Sequence, residues 1–332
     1  MFIVETYSLA ILFCVITMLC WGSWANTQKL AEKKWRFELY YWDYVFGIVL
    51  LTLLLGFTLG SNGDQGRSFI PDLMQASPES LANAFLGGVI FNLANILIVA
   101  AIAVAGMSVA FPVGIGLALV FGVLINYIAT PKGDPVWLFL GVALVVIAIV
   151  LDALAYRKKA VQASKVPAKG IILSVAGGLL MALFYRFVAK SIAQDFVHPE
   201  AGLMTPYTAV FVFSLGILIS NLLFNTFLMK KPVEGDPVTF KEYFSGNFRT
   251  HLTGIMGGLI WGIGMSFSIL AAGRAGYAIS YGLGQGATLV AALWGIIIWK
   301  EFKGIKGTGG LIGIMLVAFL AGLGLIVFAG AQ

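Results

Sequence analysis

A stretch of 36 residues occurs twice in this chain, and it constrains the fold more than any other feature. Residues 87–122 and 257–292 align without a gap at a constant offset of 170 and share ten identities: Gly87, Gly88, Ile90, Ala101, Ala105, Gly106, Gly114, Gly116, Leu119 and Val120. A Gly-Gly opening, an Ala-Gly turn and a Gly-x-Gly repeated in register mark a duplicated structural unit. Each copy is two apolar runs around a short turn, which reads as a helical hairpin.

Hydrophobic residues make up 60% of the chain and charged ones 11%, with a mean hydropathy of +0.95. One soluble core cannot bury that much apolar surface, so the class is an integral membrane protein. Runs long enough to cross a hydrocarbon layer of roughly 30 Å occur ten times, at 7–27, 41–60, 84–104, 108–129, 135–155, 170–192, 206–229, 251–272, 276–299 and 308–330. The predicted fold is all-α, with ten transmembrane helices. The two copies begin at spans three and eight, an odd number apart, so they cross the membrane in opposite directions. That gives two inverted five-helix repeats, 1–156 and 170–332, joined by a basic cytoplasmic linker at 157–169. Gly114, Ala118 and Gly122, and Gly284, Thr288 and Ala292, put small residues on one helix face for close packing.

Loop charge sets the orientation. One side carries sixteen lysines and arginines, among them Lys29, Lys33, Lys34, Arg36, Lys165 and Lys169, against Arg67, Lys132, Lys190 and Arg274 on the other. The basic side is expected to be cytoplasmic, with both termini outside the cell's inner membrane. The opening Met-Phe-Ile-Val-Glu has no positive n-region, so the first apolar run is expected to be retained. Cys14 and Cys20 stand about 9 Å apart along one helix, too far to pair. Ser77-Pro78 predicts a helix start; Gly-Asp-Pro at 133–135 and 235–237 reads as turn chemistry with too few ligands for a metal.

The opening pentapeptide, the Cys-Trp-Gly-Ser-Trp-Ala-Asn end of span one, the Lys-Lys-Trp that follows, and the Gly-Met-Ser-Val and Gly-Ile-Gly of the first hairpin resemble the drug/metabolite transporter superfamily. Within it the chain is most similar to the branch of ureide permeases and bacterial glucose/ribose and rhamnose permeases. The resemblance implies ten helices in inverted repeats, a central cavity lined mainly by spans 1, 3, 4, 6, 8 and 9, and, in many members, proton coupling. The long central cytoplasmic loop of plant ureide permeases is replaced by about 14 residues at 156–169, which favours a compact bacterial member.

Polar side chains inside spans are costly in hydrocarbon and mark function. Asn92 and Asn95 on span three, and Tyr281, Gln285 and Thr288 on span nine, offer uncharged donors and acceptors. They suit sugar hydroxyls or the ring amides of a ureide, with bonding to a neighbouring helix as the alternative. Trp21 and Trp24, near Ser23 and Asn26, can stack on a solute or anchor the helix at the interface. Trp261 aligns with Phe91 across the repeat and lies at mid-membrane depth. Arg186, beside Tyr185, must face a cavity or a carboxylate, or snorkel outward. Proton coupling needs a carboxylate that alternates between charged and neutral; Glu5 and Asp43 are the leading candidates, ahead of Asp152 and Glu301. His198 and His251 lie outside the span cores and are expected to have no role.

The expected function is secondary active uptake of a small neutral polar solute, a sugar ahead of a ureide or nucleobase, with a proton as co-substrate and the lipid bilayer as solvent. A drug or metabolite exporter would favour a wider, carboxylate-lined cavity, and no carboxylate lies at mid-membrane depth. An enzyme would need a catalytic cluster, and the sequence holds neither that nor a cofactor or metal motif. The net charge of +6 reflects topology, so nucleic acid is not an expected partner.

Overall fold

Long helices begin where the sequence supplies a cap. Thr6, Ser77 and Asn247 accept from the backbone N–H three residues on, and Pro78 and Pro206 occupy first-turn positions where no N–H is needed. The computed structural model describes residues 1–31, 35–159 and 167–332. Its long helices are α1 (Tyr7–Ser23), α2 (Phe37–Phe57), α3 (Pro78–Ala105), α4 (Pro112–Ala129), α5 (Pro135–Lys159), α6 (Ala168–Lys190), α7 (Pro206–Lys230), α8 (Phe248–Ala275), α9 (Tyr277–Ile298) and α10 (Thr308–Ala331). Among the described residues nine helices are long and apolar enough to cross a membrane. The remaining one, α1, has 17 residues and runs on through Trp24 and Ala25 into a short helix at Asn26–Leu30. The all-helical membrane class read from hydropathy is the one observed. Lys33, Lys34, Lys165 and most of the linker lie outside the described residues.

Two spans are not continuous α-helices. Helix α4 opens in a π turn at Phe111–Ile115, where Pro112 has no N–H to give. Helix α9 breaks in a turn at Gln285 and Gly286, between Tyr277–Gly284 and Ala287–Leu293. The repeat aligns these two interruptions with each other.

Helix packing follows the duplication. Helix α3 packs on α6 and α7, as α8 packs on α1 and α2; α4 meets α6 as α9 meets α1; α2 meets α7, α4 meets α9, and α5 meets α10. Exchanging the first five helices for the last five converts every one of these pairs into another or into itself. The Gly-Gly openings sit at two of the crossings. A Cβ on Gly88 would run into the Phe213 carbonyl and stand 3.0 Å from the Gly216 Cα; one on Gly258 would run into the Tyr44 carbonyl and stand 2.9 Å from the Gly47 Cα. Such backbone approach needs glycine on both helices. The repeated hairpin turns fall at Gly106 (φ 76°) and Gly276 (φ 88°), left-handed positions that glycine adopts without strain.

Candidate functional site

Helices α1, α3, α4, α6, α8 and α9, with Phe37 at the start of α2, leave a cavity of about 340 Å³ between them. This is the helix set implied by the resemblance. Its deep wall is aromatic: the indoles of Trp21 and Trp261 lie near-parallel with centroids 5.9 Å apart, Phe91 is 4.4 Å from Trp261, and Phe184 meets Phe91 edge-on at 5.2 Å. The polar groups on the lining are Asn95, Gln285, Thr288 and Gln28, and none of the lining residues is charged. Such a surface is suited to a neutral solute, with ring faces to lie against it and a few hydrogen bonds to orient it.

The mouth and the closed end are built differently. Gln28, Phe37, Ile102 and Ala291 line the cavity toward the ends of their helices that carry the basic loops. At the other end the helices are sealed by stacked rings, Phe2 on Phe13 at 6.0 Å and Phe13 on Phe267 at 4.3 Å. A buried hydroxyl knot adds to the seal: the Tyr185 and Ser268 hydroxyls are 2.7 Å apart, and Ser280 donates to the Ser268 carbonyl at 2.7 Å, with the Cys14 thiol 3.6 Å from the Ser280 hydroxyl.

The substrate candidates named from sequence therefore divide. Trp21, Trp24, Asn95, Trp261, Gln285 and Thr288 line the cavity. Asn92 does not: it is fully buried and bonds Tyr41 at 3.0 Å and Ser220 at 2.9 Å. Tyr185 belongs to the sealing knot. Tyr281 donates to the Met181 carbonyl at 3.0 Å, tying α9 to α6. Arg186 is half-buried near the far end of α6 and takes no part in the lining. Ser23 and Asn26 hold the end of α9 and the residue after it, accepting from the indole N–H groups of Trp294 at 2.9 Å and Trp299 at 2.7 Å. Sequence reasoning missed Gln28, Phe37, Phe184 and Met181 as lining residues. Gln28 had a readable signal, since Trp21, Trp24 and Gln28 follow helical spacing along one face.

The coupling candidates lie outside the cavity. Asp43 is 3% exposed at the α2–α8 contact, where Tyr243 donates to it at 2.7 Å and His251 Nδ1 stands 3.0 Å from both carboxylate oxygens. His251, expected to have no role, is thus the partly exposed partner of a buried carboxylate, with Trp35 edge-on at 5.1 Å. Burial, reinforced by the Asp43 carboxylate, pushes the Tyr243 hydroxyl above its ordinary pKa, so it remains a donor to that carboxylate. Glu5 is exposed and takes a hydrogen bond from Gln65 at 3.4 Å. Asp152 is buried in α5, and Glu301 faces Lys29 at 3.5 Å.

A family profile for ureide permeases matches residues 40–169 and 156–329. The chain is similar to Ureide permease 2 of Arabidopsis thaliana, at 23% identity over 91% of this chain and 92% of that protein. It is similar also to Ureide permease 5 of the same plant, at 23% identity over 100% and 96%, and to Probable ureide permease A3 of Vigna unguiculata, at 22% over 91% and 97%. A solved crystal structure superposes with a TM-score of 0.64 at 15% identity over 96% of each chain, a likeness of fold. With the profile covering nearly all of α2 to α10, this chain belongs to the ureide permease family.

Proposed function

We propose that the solute carried by this membrane transporter is a flat, neutral, nitrogen-containing ring of the ureide or nucleobase kind. Membership of the ureide permease family makes the chain a carrier of small solutes and not an enzyme. The observation that carries the finer reading is the uncharged cavity itself, with Trp21, Trp261 and Phe91 on its deep wall and the amides of Asn95, Gln285 and Gln28 on its sides. A planar ring can lie against the aromatic wall while its edge exchanges N–H and C=O bonds with the amides. A monosaccharide, the first expectation from sequence, would use the amides but has less flat surface to set against the indoles. The relatives are named for ureides, which supports the same choice.

Transport follows alternating access in this reading. The exchange symmetry of the helix packing supports two inverted repeats, 1–156 and 170–332, rocking about the shared cavity. Because the mouth lies at the lysine- and arginine-rich end, the positive-inside rule makes the structure inward-open, with both termini outside the cell's inner membrane. The Asp43–His251 pair is the candidate for proton coupling, since it bridges α2 and α8, one helix from each half.

Uptake of radiolabelled allantoin, uracil and glucose into proteoliposomes holding the purified chain tests the proposal, with and without a pH gradient. Saturable uptake of allantoin or uracil is expected. Uptake of glucose alone would overturn the ring-solute reading, and uptake indifferent to the gradient would remove the proton.

A further inference from the structure

We infer that a relay of buried side chains fixes the direction of the Asn95 amide, so that the cavity offers its solute a hydrogen-bond acceptor at that point and selects a solute that donates there. The inference rests on the cavity being the solute site.

The relay begins at backbone carbonyls, whose role is not open to choice. Ser220 Oγ lies 2.7 Å from the Gly216 carbonyl oxygen and 3.1 Å from that of Ile217. Both oxygens only accept, so the Ser220 proton is committed to them. Toward Asn92, 2.9 Å away, Ser220 can then only accept, and the Ile217 carbonyl, 3.4 Å from the same amide, makes the same demand. Asn92 must turn its NH₂ to α7 and its Oδ1 to Tyr41, 3.0 Å away. Tyr41 spends its one proton on Asn92, and so accepts from Asn95 at 3.1 Å. Tyr41 takes one Nδ2 proton and holds that nitrogen, with its second N–H, on the α2 side of Asn95, so Oδ1 is the atom left to the cavity that Asn95 lines.

Turning Asn92 around would invert every later bond and set its carbonyl against the α7 carbonyls. Tyr41 and Asn92 are fully buried, so no water relieves that conflict. A carbonyl on α7 therefore decides what α3 presents to the solute. Across the cavity, no comparable relay holds the Gln285 side chain among the described residues, so Gln285 adapts where Asn95 does not. Tyr41, Asn92 and Ser220 are positioning residues, since none of them lines the cavity.

The test uses the purified full chain in lipid nanodiscs and measures competition by uracil, allantoin and glucose and by derivatives of each with one N–H or O–H methylated. For a solute that binds, capping one particular donor should weaken binding roughly tenfold, the worth of one hydrogen bond, while capping others changes little. Asn95→Ala should abolish that penalty. Tyr41→Phe removes the middle of the relay without touching the cavity wall, so the penalty should fall below about threefold while the parent solute still binds. If Tyr41→Phe does not fold, Ser220→Ala supplies the same comparison, with a smaller fall because Ile217 still accepts. A penalty that vanishes in Asn95→Ala but persists in full in the relay variant overturns the relay; the absence of any single costly donor overturns the acceptor. Should glucose bind and the rings not, the ring-solute proposal fails while the O-methyl series still tests the relay. Binding of none of the three removes both.

Discussion

Trp261 is where the cavity reading is most exposed to refutation. Its indole is 5% exposed and packs 4.4 Å from Phe91, 5.9 Å from Trp21 and 6.1 Å from Phe213. Removing it acts on two quantities at once. Solute binding loses one aromatic partner, worth about 0.5–1.5 kcal/mol beyond area, which corresponds to roughly two- to thirteenfold in affinity. The fold loses a large buried side chain, and truncation to alanine costs on the order of 3–5 kcal/mol. Trp261→Ala would therefore confuse a weakened site with a weakened protein.

Trp261→Phe separates the two, because a single ring still fills the space beside Phe91 and Phe213 while half of the solute-facing indole is gone. The expected result is a KM for the ring solute raised about three- to tenfold, with maximal rate and thermal midpoint close to wild type. Uptake kinetics in proteoliposomes read the first quantity. Tryptophan fluorescence gives an independent check, since Trp21, Trp24 and Trp261 all line the cavity and solute should quench them. A KM within about twofold of wild type in both Trp261→Phe and Trp21→Phe, in correctly folded protein, would mean that the solute does not touch this wall.

Three further outcomes follow from the geometry. Gly88→Val and Gly258→Val should each lower the thermal midpoint and abolish uptake, because branched side chains are forced against the Phe213 and Tyr44 carbonyls at the two helix crossings; full stability in either would contradict the packing. Asp43→Asn should leave solute exchange intact but remove the roughly tenfold accumulation that a one-unit pH gradient supports in a one-to-one symport, and accumulation equal to wild type would exclude Asp43 from coupling. Tyr185→Phe deletes the 2.7 Å hydrogen bond with Ser268 in the sealed end, so in a Cys20→Ser background maleimide labelling of buried Cys14 should rise several-fold; no change would show that the knot does not hold that end closed.

Much of the architecture was legible because it is written in local patterns. Hydropathy gives helix lengths, and the Gly-Gly and Ala-Gly repeats give the crossings and hairpin turns, since close backbone approach and positive φ demand glycine wherever they occur. The site was legible only in part because side-chain direction depends on angle as well as depth. Asn92 and Asn95, three residues apart, point about 60° apart around the helix, enough for Asn95 to reach the cavity while Asn92 turns to Ser220 on α7. Tyr281 and Gln285 share a face by spacing, yet the turn at Gln285 and Gly286 parts them and leaves Tyr281 bonded to α6. His251 looked inert because its partner Asp43 lies 208 residues away. Sugar and ureide could not be separated by the polar residues, which would hydrogen-bond either; the indole wall formed by Trp21 and Trp261, from different repeats, is a tertiary property.

The two copies of the repeat agree where helices cross and differ on the cavity lining. Gly88 and Gly258 keep the crossings, but Asn95 aligns with Met265, fully buried and outside the cavity lining, and Gln285 aligns with Ile115, which lines it. The cavity amides thus come from different levels of the two halves, Gln28 and Asn95 from the first and Gln285 from the second. The lining is therefore not two-fold symmetric, and it presents unlike partners to the two edges of a ring. Gln285→Ile makes the second copy resemble the first at the helix interruption, where isoleucine is already accommodated, so the fold should survive. Uptake should fall roughly tenfold, since the solute forfeits one hydrogen bond. Adding Ile115→Gln moves the amide to the opposite wall without restoring its original position. Uptake should stay low in the double variant; recovery to the wild-type rate would show that an amide serves from either side, and that the asymmetry of the repeats does not set specificity.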